Sequence, residues 1–551
     1  RSSDLANGAT FASWTFRKAE KFFDVVTYTG NGTAGRTVSH NLGSVPGCII
    51  VKCTSEAQSW AVYHRSLGND KRLILQTTAA ATTTTTWNST DPTSTVFSVD
   101  DGDIVNKNGA TYVAYLFAHD AGGFGDDGSD SVIKCGGGTW DSNGWATVSL
   151  GWEPQFILIK GTSTANWILY DSTRGMSIGV NPASPTAAGS YVLPNTSDAE
   201  TLTTYGTAPL PTGFIDYNGS AGQGFIYIAI RKGNMKTPSS GTEVFTPTAY
   251  TATNVDNRLV DTGLLTDMVM ARVRSEISTG GFYVADRKRA NFFSATASSS
   301  GDASDADSFM TPTLGKGVSF SAMNGFGVGN DATRKLNYLD YTEIAYSFKE
   351  AKGFFDIATY TGTGSNLTVS HNLKAVPELM IIRNRTSANE WAVYAAPIGN
   401  TKYLALNSLN AASVLDLWNS TTPTSSVFYV KGGFGQTNDA NNNYVAYLFA
   451  SVPGVSKVGS YSGTGTTNQI NCGFTSGARF VFLKRLDSSG PWRVFSSAQG
   501  IVSGSDPFMK FESSDPEDTG LDIIDPYSPG FQLAGSDSNE SGSTYLFFAI
   551  A

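Results

Sequence analysis

The sequence predicts an all-β protein: a tandem array of five jelly-roll-like β-sandwich modules, each of about 100 residues. Three observations carry this reading. Short runs of β-branched and aromatic residues alternate with clusters of Gly, Asn, Ser, Thr and Pro, which are strand and turn signals. Only 15% of residues are charged while 12% are aromatic and 58 are glycine, a mixture that suits turn-rich sheets around aromatic cores and not a disordered chain. The third observation is that the chain repeats itself.

The strong repeat has an offset of 331 or 332 residues. Phe22-Phe23-Asp24 returns as Phe354-Phe355-Asp356, and Val38-Ser39-His40-Asn41-Leu42 as Val369-Ser370-His371-Asn372-Leu373. Trp60-Ala61-Val62-Tyr63 returns as Trp391-Ala392-Val393-Tyr394, Trp87-Asn88-Ser89-Thr90 as Trp418-Asn419-Ser420-Thr421, and residues 112–118 as 444–450 unchanged. Inside it lies a weaker repeat of about 100 residues. Each unit carries an apolar run followed by an aromatic (Trp60, Trp167, Phe282, Trp391, Trp492) and closes on an aromatic-apolar strand.

The units in order are 17–118, 119–230, 231–348, 349–450 and 451–551, with about seven or eight strands expected in each. The fourth repeats the first, and the fifth resembles the second: Asp171-Ser172-Thr173-Arg174-Gly175 aligns with Ser496-Ser497-Ala498-Gln499-Gly500. The third ends Tyr346-Ser347-Phe348-Lys349, and the chain starts with a similar Trp14-Thr15-Phe16-Arg17. Residues 1–16 therefore read as the closing strand of a preceding type-three module, in the order (3)-1-2-3-1-2. With Arg1 in place of Met, a processed or truncated product of a longer polypeptide is expected. No helix has a convincing start, periodic body and stop, although 79–87 and 408–418 could hold a short helical turn.

Closing strands bear on packing. Alternate side chains face opposite sides of a strand. In the first unit both faces are apolar, Val113/Tyr115/Phe117 and Tyr112/Ala114/Leu116/Ala118, and the second, fourth and fifth units are similar. The third looks like an ordinary half-wet strand, with Ile344, Tyr346 and Phe348 opposite Glu343, Ala345, Ser347 and Lys349. A doubly apolar sandwich strand needs a cover on its outer face: a loop, a neighbouring module or another chain. An oligomer is expected on that ground.

A net charge of −9 argues against a nucleic-acid binder relying on a basic surface. The longest apolar runs, such as 545–551, fall far short of the roughly 18 residues of a membrane helix, so no membrane insertion is expected. The four cysteines lack metal-ligand spacings and read as free, mostly buried thiols, with Cys48 and Cys53 on opposite faces of one strand. No catalytic motif and no cofactor motif is present.

Candidate binding residues are few. His40 and His371 recur, but other units lack them, so each reads as ending a strand or satisfying a loop. Asp100, Asp101 and Asp103, with 126–127 and 302–307, have carboxylate spacings able to ligate calcium, against a simpler reading as solvated turns. Trp60, Trp167, Trp391 and Trp492 hold one repeated position and read as core; Trp87 and Trp418 read as packed turns. Trp140 and Trp145 sit in the Gly-rich stretch Gly136–Gly144 and are the candidates for stacking on a saccharide ring.

The quoted motifs together resemble, along essentially the whole chain, a family of tandem modules of uncharacterised function found in virion proteins of tailed bacteriophages, notably tail-fibre-like and other appendage proteins. The resemblance implies an extracellular virion component, structural and not enzymatic, that touches other virion proteins and a host-surface glycan or protein through its loops. Fibres of this kind are commonly homotrimers. A head-decoration or other scaffold protein is the alternative within that class. A capsular polysaccharide depolymerase, needing a carboxylate pair in a groove, is the alternative from another.

Overall fold

A computed structural model describes residues 12–174, 176, 189–203, 206–233, 235–256, 258–277, 281–289, 292–296, 308–309, 318–320, 322–329 and 336–551. Strands take 43% of the chain and helix 2%, so the cores are framed by sheets alone. Among the described residues the strands form ten sheets, which fall along the chain as five pairs of one large and one small sheet. The pairs run from Phe23–Thr29 to Thr111–Ala118, Ile133–Thr139 to Gly224–Arg231, Phe245–Thr251 to Thr342–Phe348, Phe355–Thr361 to Asn443–Phe449, and Ser456–Ser462 to Thr544–Ile550.

One topology serves all five. The last strand inserts antiparallel between the first and the third, while the second crosses to the small sheet and pairs with the next-to-last. In the fourth sandwich this sets Phe355 opposite Phe449, which in turn lies opposite Leu379. That wrap is the one a jelly roll uses. The strands after the third depart from it, extending the large sheet as a meander.

The period of two then builds two kinds of core. From the fourth closing strand, Tyr444, Ala446 and Leu448 point inward to meet Val369, Trp418 and Phe428 between the two sheets. Val445, Tyr447 and Phe449 point outward into a second core shared with the third and fifth sandwiches. There Phe348 lies 5.7 Å from Phe449, Phe449 lies 5.0 Å from Phe548, and Phe245 lies 5.0 Å from Phe480, so the three large sheets close a ring. An aromatic ring removes about 150–250 Å² from water, on the order of 4 kcal/mol each at about 25 cal/mol per Å². The cover that the doubly apolar strands demand is thus supplied by neighbouring sandwiches. The first two sandwiches share such a core as well, with Leu158, Ile226, Ile228 and Ile230 of the second set against the first.

Two expectations are corrected. The third closing strand is not half-wet: Glu343, Ala345 and Ser347 are buried inside the sandwich, while Ile344, Tyr346 and Phe348 face the ring. Polar residues here line an interior face and do not mark solvent. Residues 79–87 and 408–418 hold no helical turn but the two-residue strands Thr82–Thr83 and Ser413–Val414, each at the edge of a large sheet. The short helix is elsewhere, at Asp103–Asn106, where the buried Asn106 amide reaches the carbonyls of Asp100 and Thr33.

Candidate functional site

Charged side chains are scarce in this chain, yet six of them converge where the second, third and fourth sandwiches meet. Each comes from the end of a strand. Glu153 precedes Pro154–Gly161, Lys232 follows Gly224–Arg231, Asp267 precedes Met268–Val273, Arg287 and Lys288 follow Tyr283–Asp286, and Glu350 lies two residues past Thr342–Phe348. Strand ends line the rim of a sheet, across all its strands, so a meeting of sandwich rims gathers them.

The geometry is a lattice of alternating charge. The Lys232 ammonium bonds Glu350 and lies 3.3 Å from Asp267 and 3.8 Å from Glu153. Lys288 lies 2.6 Å from Glu153 and 3.4 Å from Glu350, and also donates to the Ile357 carbonyl. Arg287 donates to Asp267 at 3.2 Å and to the Thr266 carbonyl at 2.7 Å. Backbone N–H groups complete the set, with Glu350 donating to Asp267 at 2.9 Å and Ile357 to Glu350 at 2.8 Å. All six side chains are buried or nearly so.

Burial and pairing act against each other here. Burial would raise the Glu350 carboxyl, but Lys232 and Lys288 hold it down at about 2. Burial would lower both lysines, yet the carboxylates around them raise both instead. For Glu153 burial wins and its carboxyl is raised. It wins also at the adjoining Asp356, pushed up to about 8 despite the attraction of Lys288. The cavity beside the cluster is only about 50 Å³, room for a water and far below the roughly 300 Å³ of a small ligand site. Chemically the cluster is an ionic latch between sandwiches.

The residues singled out from sequence lie apart from it. Trp140 is core and not a stacking platform: it is 7% exposed, its ring packs 4.6 Å from Phe225, and its Nε1 donates to the buried Asp216 at 2.7 Å. Gly219 makes room for that ring, since a Cβ there would run into the indole, while Gly136 and Gly138 make room for the rings of Tyr227 and Phe225. Trp145 is half-buried at the surface of the same sandwich, edge-on to Tyr217 at 5.6 Å. Asp141 fixes its loop by accepting from the N–H groups of Asn143 and Trp145 at 2.8 and 2.9 Å.

Asp100 is spent on its own turn, accepting from the Gly102 N–H at 2.9 Å and the Thr85 hydroxyl at 3.1 Å, while Asp101 and Asp103 are exposed. Asp126 pairs with Lys352 at 2.9 Å, and Asp127 caps Ser129. The stretch 302–307 lies outside the described residues. Among the described residues no three His, Cys, Asp or Glu side chains gather as a metal site.

The repeated histidines are both buried and both used. Nδ1 accepts from the N–H two residues on, at 3.3 Å from Leu42 and from Leu373, and Nε2 meets a loop carbonyl, Thr93 for His40 at 3.2 Å and Thr424 for His371 at 3.1 Å. Burial lowers the His371 pKa to about 4. Trp87 and Trp418 are buried against positive-φ pairs, Asn88-Ser89 and Asn419-Ser420, and donate to Lys71 and Lys402 carbonyls at 3.0 and 2.9 Å. All four cysteines are free and buried.

Sequence reasoning missed the latch. The one local signal was the run Asp286-Arg287-Lys288-Arg289, unusual in so weakly charged a chain. No helix among the described residues is long and apolar enough to cross a membrane. No curated protein matches the chain. Two spans of it, 7–232 and 240–551, match one family. The chain belongs to that family, described as Domain of unknown function (DUF7483).

Proposed function

We propose that the chain is a non-enzymatic structural protein of a tailed-bacteriophage virion, fibre- or spike-like and extracellular, whose locked sandwiches hold loops toward a host surface. One observation carries this reading: the buried charged groups that in an enzyme would do chemistry are consumed in latching sandwich to sandwich. A rigid scaffold with variable loops is a sound design for attachment. Trp145 beside Tyr217 is the surface at which a host glycan would stack. Other virion proteins are its expected neighbours. A homotrimer would form through faces other than the apolar stripes of sandwiches three to five, because these are covered within the chain.

Three experiments test it. Gold-labelled antibody on particles should mark an appendage; label over the head would favour a decoration protein. Incubation with host capsule should release no new reducing ends, whereas host cells should retain the protein until free sugar competes it off. Release of reducing ends would make it a depolymerase.

A further inference from the structure

In the complete ring each sandwich sets the aromatic of one repeated position against the sandwich before it. Trp391 donates to the Ala295 carbonyl at 3.1 Å and Trp492 to the Ala405 carbonyl at 2.9 Å. Phe282, at that position in the third sandwich, closes the ring against Phe511 of the fifth at 4.9 Å. In the fifth and third sandwiches a cation on the adjacent strand does likewise. Lys484 reaches the Leu409 carbonyl at 2.9 Å, and Arg272 the carbonyls of Lys510 and Ser513 at 3.0 and 2.9 Å.

The first two sandwiches make one such joint, Trp167 to the Ile74 carbonyl at 3.1 Å. Among the described residues the first sandwich's own aromatic makes no hydrogen bond or ring contact beyond it. Trp60, the repeat of Trp391, is half-buried with no hydrogen-bond partner for its indole nitrogen among the described residues. Val25, Val113 and Tyr115 are half-buried where their repeats Ile357, Val445 and Tyr447 are fully buried.

What does occupy this seat is a short segment of the right kind. Phe16 lies 5.4, 5.7 and 5.9 Å from Phe23, Phe117 and Phe156. Phe348 lies 5.6, 5.7 and 6.2 Å from the corresponding Phe355, Phe449 and Phe480. Trp14 donates to Asp171 at 3.1 Å, as Tyr346 donates to Gln499 at 2.6 Å in the matching loop of the fifth sandwich. A cavity of about 680 Å³ opens beside Trp14 and Phe16. Residues 12–16 lie along this seat without pairing as the closing strand the sequence suggested, and the family match divides the chain the same way: 240–551 spans three sandwiches, and 7–232 spans this segment and two.

We propose that the first and second sandwiches are two thirds of a second ring, and that its open seat receives a β-sandwich of type-three chemistry, with an Ile-Tyr-Phe closing stripe and an arginine on the neighbouring strand. The interface is the one already made between sandwiches three, four and five.

The test grafts residues 240–348 in place of 1–16, joining Phe348 to Arg17, and uses the thiol of Val25→Cys as reporter, the native thiols being buried. In the unmodified chain this thiol should be alkylated readily. In the graft its rate should fall about tenfold or more, as expected for a site that reacts only on local opening, and Tyr346→Asp within the grafted copy should restore it. A protease-resistant graft that leaves the rate unchanged overturns the proposal. So does a graft that is digested while the native 240–348 survives, since its stripe would have found no seat. Slow alkylation of the unmodified chain that speeds up on dilution overturns it too, by giving the seat to a second copy.

Discussion

The indole nitrogen of Trp492 donates to the carbonyl oxygen of Ala405 at 2.9 Å, across the boundary between the fifth and fourth sandwiches. Neither residue belongs to the other's sandwich, so the bond exists only when the two sandwiches are docked. Trp492 is 0% exposed and stacks 5.0 Å from Phe482, with the Lys484 ammonium 5.3 Å over its ring. Trp492→Ala should therefore cost about 3–5 kcal/mol, the range for a buried aromatic truncated in a core. Trp60→Ala, at the same position but half-buried, should cost about 1–2 kcal/mol. Urea midpoints of the two variants would show the difference, and equal losses would mean that the ring adds nothing to the joint.

The repeat, the strand content and the need for a cover could be read from residues such as Tyr112 and Phe117, because alternation within one strand is a local property. The identity of the cover could not, since it depends on which sheets the chain brings together. Glu343 misled for a related reason: a polar side chain signals solvent only where no interior polar contact is available, and the Asn337 N–H that serves Glu343 comes from a turn with no pattern of its own. Trp140 misled because glycine is as useful for admitting a ring as for exposing one. The latch was the least legible feature, joining Glu153 to Lys288 and Lys232 to Glu350 across sequence distances that no spacing rule spans.

Glu350 gives the latch an acid limit. Its folded carboxyl is held at about 2, below the ordinary value of about 4.3. The native state then binds fewer protons than the unfolded one between those values, and stability falls as pH drops through that window. Glu350→Gln should lose about 3 kcal/mol or more at neutral pH, because both lysines stay buried with one counter-charge fewer. The variant should also unfold with a flatter pH dependence between about 5 and 2 than the parent. Parallel curves would remove Glu350 from the account of acid unfolding.

Glu343 acts in the opposite sense. Burial inside the third sandwich pushes its carboxyl up to about 7, and its Oε2 has no hydrogen-bond partner among the described residues. Here the native state binds more protons than the unfolded one, so stability falls as pH rises from about 4.3 through 7. Glu343→Gln removes the ionisation while keeping the shape and an oxygen for the Asn337 N–H. The variant should melt above the parent at pH 8 and close to it at pH 5. A lower melting temperature at pH 8 would show that the charged form is the one the fold prefers.

Trp140 and Trp145, five residues apart, should separate stability from attachment. Trp140→Phe keeps most of the packing against Phe225 but takes the indole N–H from Asp216, whose remaining side-chain partner is the Thr207 hydroxyl at 2.7 Å. Burial already raises the Asp216 carboxyl, so the loss should cost about 1.5–3 kcal/mol, the worth of a hydrogen bond to a charged group. Binding of the folded protein to host cells should not change. Trp145→Ala removes a half-buried ring whose loop is fixed by backbone bonds to Asp141, so the melting temperature should move little. If a saccharide stacks there, retention on host cells should fall about tenfold, as when an aromatic anchor is removed from a binding site. Retention unaffected by Trp145→Ala would move the attachment surface to another loop.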